Sequence, residues 1–305
     1  MSHVAHFLAE PLTDLPPRRS TTLRRTQNVD MVGRLGAQLE LIGHVEDHDA
    51  TTASCHAVLD AERTLTSLSV TPELDTAPLL GLLVGRGFRA EADKLVRHGG
   101  LRSALLTELP VAAFLAGYGN LYVGSMPGPL SENFLAGMPV DICAGWESSG
   151  TMVQLTHVDR MVPTPDGPPA PLGIDTEWHD MAPLEPGHMR RQRLIQRDGD
   201  EAWAMFRDTY ARPDGQVIVL HEYSADIRLE PLPTGGPGFR IASCAATPRV
   251  LPWPECPSAA ASAQRIEGHA VAELRGLVKD EFLGTSICTH LNDLLGSLVQ
   301  LDDLV

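Results

Sequence analysis

The chain runs through one plan twice, and that repetition constrains its fold more than any other feature. Arg24-Arg25-Thr26 opens the first run and Arg190-Arg191-Gln192 the second. A strand-like stretch follows in each, then a histidine heading another strand, His56 or His221. A threonine–proline pair comes next, Thr71-Pro72 against Thr247-Pro248, and two helix-like segments close each run. The last of these holds Leu101-Arg102-Ser103-Ala104-Leu105 in one run and Ile287-Cys288-Thr289-His290-Leu291 in the other. Arg102 and Ala104 thus stand where the second run has Cys288 and His290. The expectation is two tandem copies of one domain, the first degenerate and the second carrying the chemistry.

The local patterns place strands before helices in both copies. Residues 38–47 alternate partly and residues 55–73 read as two strands bent near Asp60 to Arg63. Residues 79–100 change to helical spacing, with Leu82, Val84, Phe88 and Leu95 along a stripe and Gly99-Gly100 as a stop. Residues 101–119 predict a helix kinked by Pro110. In the second copy, strands are expected over 189–197, 201–211, 216–232 and 239–250, and helices over 257–266, 270–284 and 286–301. The last has its apolar stripe at Ile287, Leu291, Leu294 and Leu298. Each copy is therefore α+β, an antiparallel sheet followed by C-terminal helices. The expected boundaries are a loose N-terminal arm over 1–20, the first copy over 21–119, a Pro/Gly-rich packed strap over 120–185 and the second copy over 186–305.

Composition excludes several classes of function. With 39 acidic against 24 basic residues the net charge is −15, which repels phosphate backbones and argues against nucleic-acid binding. No apolar run has the length of a membrane span, and the N-terminus lacks the apolar core of a secretory signal. Five cysteines, Cys55, Cys143, Cys244, Cys256 and Cys288, are an odd set that fits thiols in a reducing cytoplasm. There is no P-loop, no Gly-x-Ser-x-Gly and no complete dinucleotide fingerprint around Gly85-Arg86-Gly87-Phe88, so no nucleotide cofactor is expected.

His221, Cys256, Cys288 and His290 are the leading constellation. Imidazole and thiolate are the ligands that zinc, iron and copper prefer, and four of them complete a tetrahedral site. Residues two apart on a helix point roughly 200° apart, so Cys288 must sit at the N-cap or in the preceding loop if His290 also ligates. The expected function is a cytoplasmic Zn or Fe protein, an enzyme on a small organic substrate, with Cys288 and His290 as its catalytic groups. A non-catalytic metal or iron–sulfur carrier is one alternative. The other is a metal-free enzyme with Cys288 as nucleophile at a helix N-terminus, His221 or His290 as base, and Glu222 or Glu255 orienting it. A purely structural protein with buried thiols is the bland reading.

Other groups carry weaker expectations. On a strand, His221 and Tyr223 face one side and Glu222 the other. Arg190, Arg191, Arg193 and Arg207 either bind a substrate anion or pair internally with acids such as Asp208 and Asp293; in so acidic a chain pairing is favoured. His44 and His48 read as solvated, and His179 in the strap as an outer partner of the site.

Three runs carry a family resemblance: His221-Glu222-Tyr223, Leu251 to Pro257, and Cys288 to Asp293. Together they resemble a bacterial family known only as a domain of unknown function, DUF 2889, well over 186–305 and in weakened form over 20–119. The resemblance implies no activity. The order His221, Cys256, Cys288 also resembles NifU-type iron–sulfur scaffolds, whose late Cys-Ser-x-Leu is similar to Cys288-Thr289-x-Leu291. Histidine replaces that family's first cysteine.

Overall fold

The computed structural model describes residues 4–5, 7–33, 37–96, 100–121, 130–161, 165–171, 183–233 and 235–304. Among the described residues there are eleven strands: β1 (Val4–Ala5), β2 (Leu8–Ala9), β3 (Leu23–Gly33), β4 (Leu39–Asp47), β5 (Thr52–Leu59), β6 (Leu65–Thr71), β7 (Pro165–Asp166), β8 (Met189–Asp198), β9 (Glu201–Ala211), β10 (Val217–Pro231) and β11 (Phe239–Leu251). The α-helices are α1 (Arg86–Leu95), α2 (Leu101–Leu121), α3 (Glu132–Gly137), α4 (Thr151–Asp159), α5 (Leu274–Glu281) and α6 (Thr289–Ser297). No helix among the described residues is long and apolar enough to cross a membrane.

Nine strands form one sheet in the order β2-β11-β10-β9-β8-β3-β4-β5-β6. The expected pair of separate sheets is therefore corrected to a single one. The join is β3 against β8, antiparallel, with Gln27 opposite Arg193 near its middle. From that seam one meander runs outward through β4, β5 and β6 and the other through β9, β10 and β11. Because an antiparallel strand edge needs only a partner of matching length, two meanders whose first strands are alike join at low cost.

The two sides of the sheet are covered differently. Along β4 and β5 burial alternates, as expected for strands with one face on a core and one toward water. Leu41, Leu59, Phe88, Leu105 and Leu109 form that core under α1 and α2. A Cβ on Gly43 would stand 2.7 Å from Cys55 Sγ and 3.0 Å from Leu105 Cδ2, so this glycine is what admits α2 to the sheet. Along β9 nearly every residue is buried, so both faces are covered. One face packs Phe206, Tyr223 and Ile241 against Leu291, Leu294 and Leu298. On the other, Leu12 and Leu15 of the N-terminal arm cover Leu194, Trp203 and Met205.

The arm is thus docked, where a loose segment was expected. β2 adds to the edge of β11, and the N–H of Leu12 donates to Glu222 Oε1 at 2.6 Å. The expected helix containing Pro110 is present as α2, over 21 residues. Two further expectations are corrected. Cys256–Ile266 winds as a 3-10 helix, because its small buried residues Cys256, Ala259 and Ser262 recur every third position and a three-residue turn aligns them in one row. The last helix is α only over Thr289–Ser297 and finishes as a 3-10 segment, Leu298–Asp303.

Candidate metal centre

The pairing register assembles the site. Arg191 on β8 lies opposite Asp208 on β9, and Asp208 lies opposite His221 on β10. Side chains directly opposite on neighbouring strands share a face, so the three form a row across the sheet. A register shift between Val219 and His221 brings the histidine into that row, as a bulge re-aims a side chain. His290, in the first turn of α6, lays its ring over His221 with centroids 4.0 Å apart and a 26° tilt. The donor atoms of Asp208, His221 and His290 all lie within 4.8 Å of one another, the only such group among the described residues. Ligands at ~2.0–2.1 Å from a tetrahedral ion stand about 3.3–3.5 Å apart, a spacing inside the 4.8 Å that bounds this group.

Asp208 is fully buried and its orientation is fixed from behind. Arg191 donates to both its oxygens at 2.7 and 2.9 Å, and His221 Nδ1 lies 3.3 Å from Oδ2. Arg191 also donates to Glu108 at 2.5 Å and Asp293 at 2.7 Å. Arg193 pairs with the same Glu108 and Asp293 and donates to Ser297 Oγ at 2.7 Å. The cluster therefore holds three carboxylates against two buried guanidiniums, with Arg89 reaching Asp293 at 3.2 Å from a more exposed position. Burial works to raise the Asp293 carboxyl, but Arg193, Arg191 and Arg89 outweigh it and hold it well below the usual range. Burial first, and His221 second, push His290 well below an ordinary imidazole, so it is neutral at pH 7. Neutral imidazole is the ligating form.

The arginines expected either to bind an anion or to pair internally are paired: Arg190 with Asp30 at 2.5 Å, Arg191 as above, and Arg207 with Glu222 at 2.6 Å. Glu222 points to the opposite face from His221, where it and Arg207 bracket Leu12. Glu255 accepts from the N–H and Oγ of Thr151 at the start of α4, and does not orient a histidine. His56 is not the counterpart of His221: it faces Ile42 and its Nε2 lies 3.0 Å from Glu40, largely exposed. His44 stands 3.9 Å from Glu46, also toward solvent. His179 lies outside the described residues.

Of the four ligands read from the sequence, His221 and His290 come together directly. Cys288 is the N-cap of α6, a position that its joint use with His290 allows, and its Sγ is 4.0 Å from His290 Nδ1. Cys256 is not in the Asp–His–His group; it lies beside Tyr223, whose hydroxyl is 3.5 Å from the Cys256 carbonyl. Burial pushes the Cys288 thiol up to about 11 and Cys256 well above its usual value. Asp208 was legible only as a salt-bridge partner. Its role at the site depends on register across three strands, which leaves no local signal.

Residues 189–302 match the family described as "Protein of unknown function (DUF2889)". The match lies within the second half, and it does not extend to the strands β3–β6. No curated protein and no solved structure matches the chain. The NifU-type likeness gains no support from these comparisons.

Proposed function

We propose that this chain is a resident transition-metal protein, with zinc or iron held by Asp208, His221 and His290. The observation that carries the reading is the convergence of two imidazoles and a fully buried carboxylate on one point. Two histidines and one carboxylate are a donor set of catalytic zinc and non-haem iron, and three protein ligands leave a coordination position for water or substrate. A metal there lowers the pKa of a bound water and polarises a carbonyl, which supports an enzyme on a small organic molecule. Burial of Asp208 and His221 favours a resident ion over a carrier that hands its cargo on.

The metal-free nucleophile keeps second place because Cys288 caps α6 beside His290. Its thiol, pushed up to about 11, and a His290 that resists protonation do not form a thiolate–imidazolium pair. Five free, buried cysteines support a cytoplasmic setting. We also read the two meanders as a tandem duplication, supported by matching pairs about the seam. Arg25 pairs with Asp47 across β3–β4 as Arg191 does with Asp208 across β8–β9, and Arg24 meets Gln196 as Arg190 meets Asp30.

The test is metal stoichiometry after reconstitution with Zn²⁺ and removal of excess ion. Asp208→Asn and His290→Gln should each bind one equivalent less than the wild type. Unchanged stoichiometry in both variants refutes the proposal.

A further inference from the structure

Three thiols lie around the N-terminus of α6, and they come from three separate parts of the chain. Cys143 precedes a 3-10 turn, Ala144–Trp146, in the strap between the halves. Cys256 opens the 3-10 helix after β11, and Cys288 caps α6. All three are buried in one core cluster with Tyr223.

Their convergence is built by specific contacts. The N–H of Ala144 donates to the Ile287 carbonyl at 2.8 Å, pinning the strap to the cap of α6. A Cβ on Gly145 would stand 2.7 Å from Cys256 Sγ and 3.1 Å from the Trp253 ring, so only glycine lets the Cys256 sulfur lie against the strap. Cys143 lies close to Thr289, and Cys288, the N-cap, directly precedes the first turn of α6. Tyr223 closes another side, with its hydroxyl within hydrogen-bonding reach of Cys288 Sγ and of the Cys256 carbonyl.

We infer that Cys143, Cys256 and Cys288 form a thiolate site for a soft metal ion of the zinc and copper(I) class, separate from the Asp208–His221–His290 group. Thiolates select such ions. Binding Zn²⁺ releases three thiol protons to solvent and leaves a complex of charge −1. The positive end of α6, whose first-turn amides lack intrahelical partners, compensates that charge. The donor atoms are not all within 4.8 Å in this structure, so binding draws the sulfurs together by rotation about their Cα–Cβ bonds. The strap is then a ligand-bearing element, and the site is incomplete without it.

Cobalt(II) titration of the reduced full-length protein under anaerobic conditions tests this. A thiolate-to-cobalt charge-transfer band should grow to saturation, at one equivalent per chain where Asp208→Asn removes the other site. It should fall by about a third in Cys143→Ser, in proportion to the sulfur lost, and persist in Asp208→Asn. Cadmium X-ray absorption on the unmutated chain gives the same answer if Cys143→Ser folds poorly, with three sulfurs expected around the ion. No charge-transfer band, a band unchanged in Cys143→Ser, or fewer than three sulfurs around cadmium overturns the site. A band lost in Asp208→Asn overturns it too, since the thiols would then serve the Asp–His–His ion. Zinc stoichiometry unchanged in Asp208→Asn would remove the Asp–His–His reading and leave the thiolate site standing.

Discussion

Arg191→Met should cost about 3–5 kcal/mol of stability at pH 7, the usual loss when one partner of a buried ion network is removed. The structure sets the size. Arg191 is 1% exposed and contacts three carboxylates, of which Asp208 is 0%, Glu108 6% and Asp293 13% exposed at the side chain. Methionine fills similar space, so lost packing contributes little. The cost is electrostatic: three carboxylates are left against Arg193 and the half-exposed Arg89, and Asp208 retains only His221 among these partners. At least one carboxyl must then take up a proton to remain buried. The loss should therefore shrink at lower pH, by up to about 1.4 kcal/mol per unit below neutrality. Urea unfolding of wild type and variant at pH 7 and pH 5 reads both effects. A loss under about 1 kcal/mol at pH 7, or an equal loss at the two pH values, would refute the reasoning.

Arg228→Ala is the matching control, because Arg228 reaches Asp200 and Glu201 from a position more than half exposed; urea unfolding should show a change under about 0.5 kcal/mol. The unfolded chain takes up a proton near pH 6.5 that buried His290 resists, so its contribution is fully present above pH 6.5. It is lost by about 1.4 kcal/mol per unit as pH falls below that. Comparing His290→Gln with wild type between pH 7 and 5.5 checks this, and identical slopes would contradict it. Leu12→Pro removes the N–H that Glu222 accepts at 2.6 Å and should cost about 1.5–3 kcal/mol in urea unfolding; no loss would mean that the arm does not hold its docked position. Excess Zn²⁺ at about 100-fold over its Kd should stabilise the wild type by about 2.7 kcal/mol, and thermal unfolding of Asp208→Asn should show less of that gain.

The strands of the second half were legible as runs cut by turns such as Pro213-Asp214-Gly215, and α6 by its stripe Ile287, Leu291, Leu294, Leu298. Imidazole chemistry pointed to His221 and His290, since residue type alone carries it. What escaped depends on long-range register. Asp208 joins His221 only through the β9–β10 pairing and its bulge. Glu108, in the half expected to be chemically silent, reaches the site through Arg191. The single sheet rests on the β3–β8 seam, and pairing between strands about 160 residues apart has no local sequence signature. His56 shows the converse error: a matching position in a linear comparison does not fix the pairing register, and it faces solvent.

The central claim is that Asp208, His221 and His290 share one ion. An anomalous-difference map from a zinc-loaded crystal, collected at the zinc edge, tests it most directly. The account expects a peak bonded to an Asp208 carboxylate oxygen and one ring nitrogen from each histidine. Zinc in the map with no peak between those three side chains would contradict it.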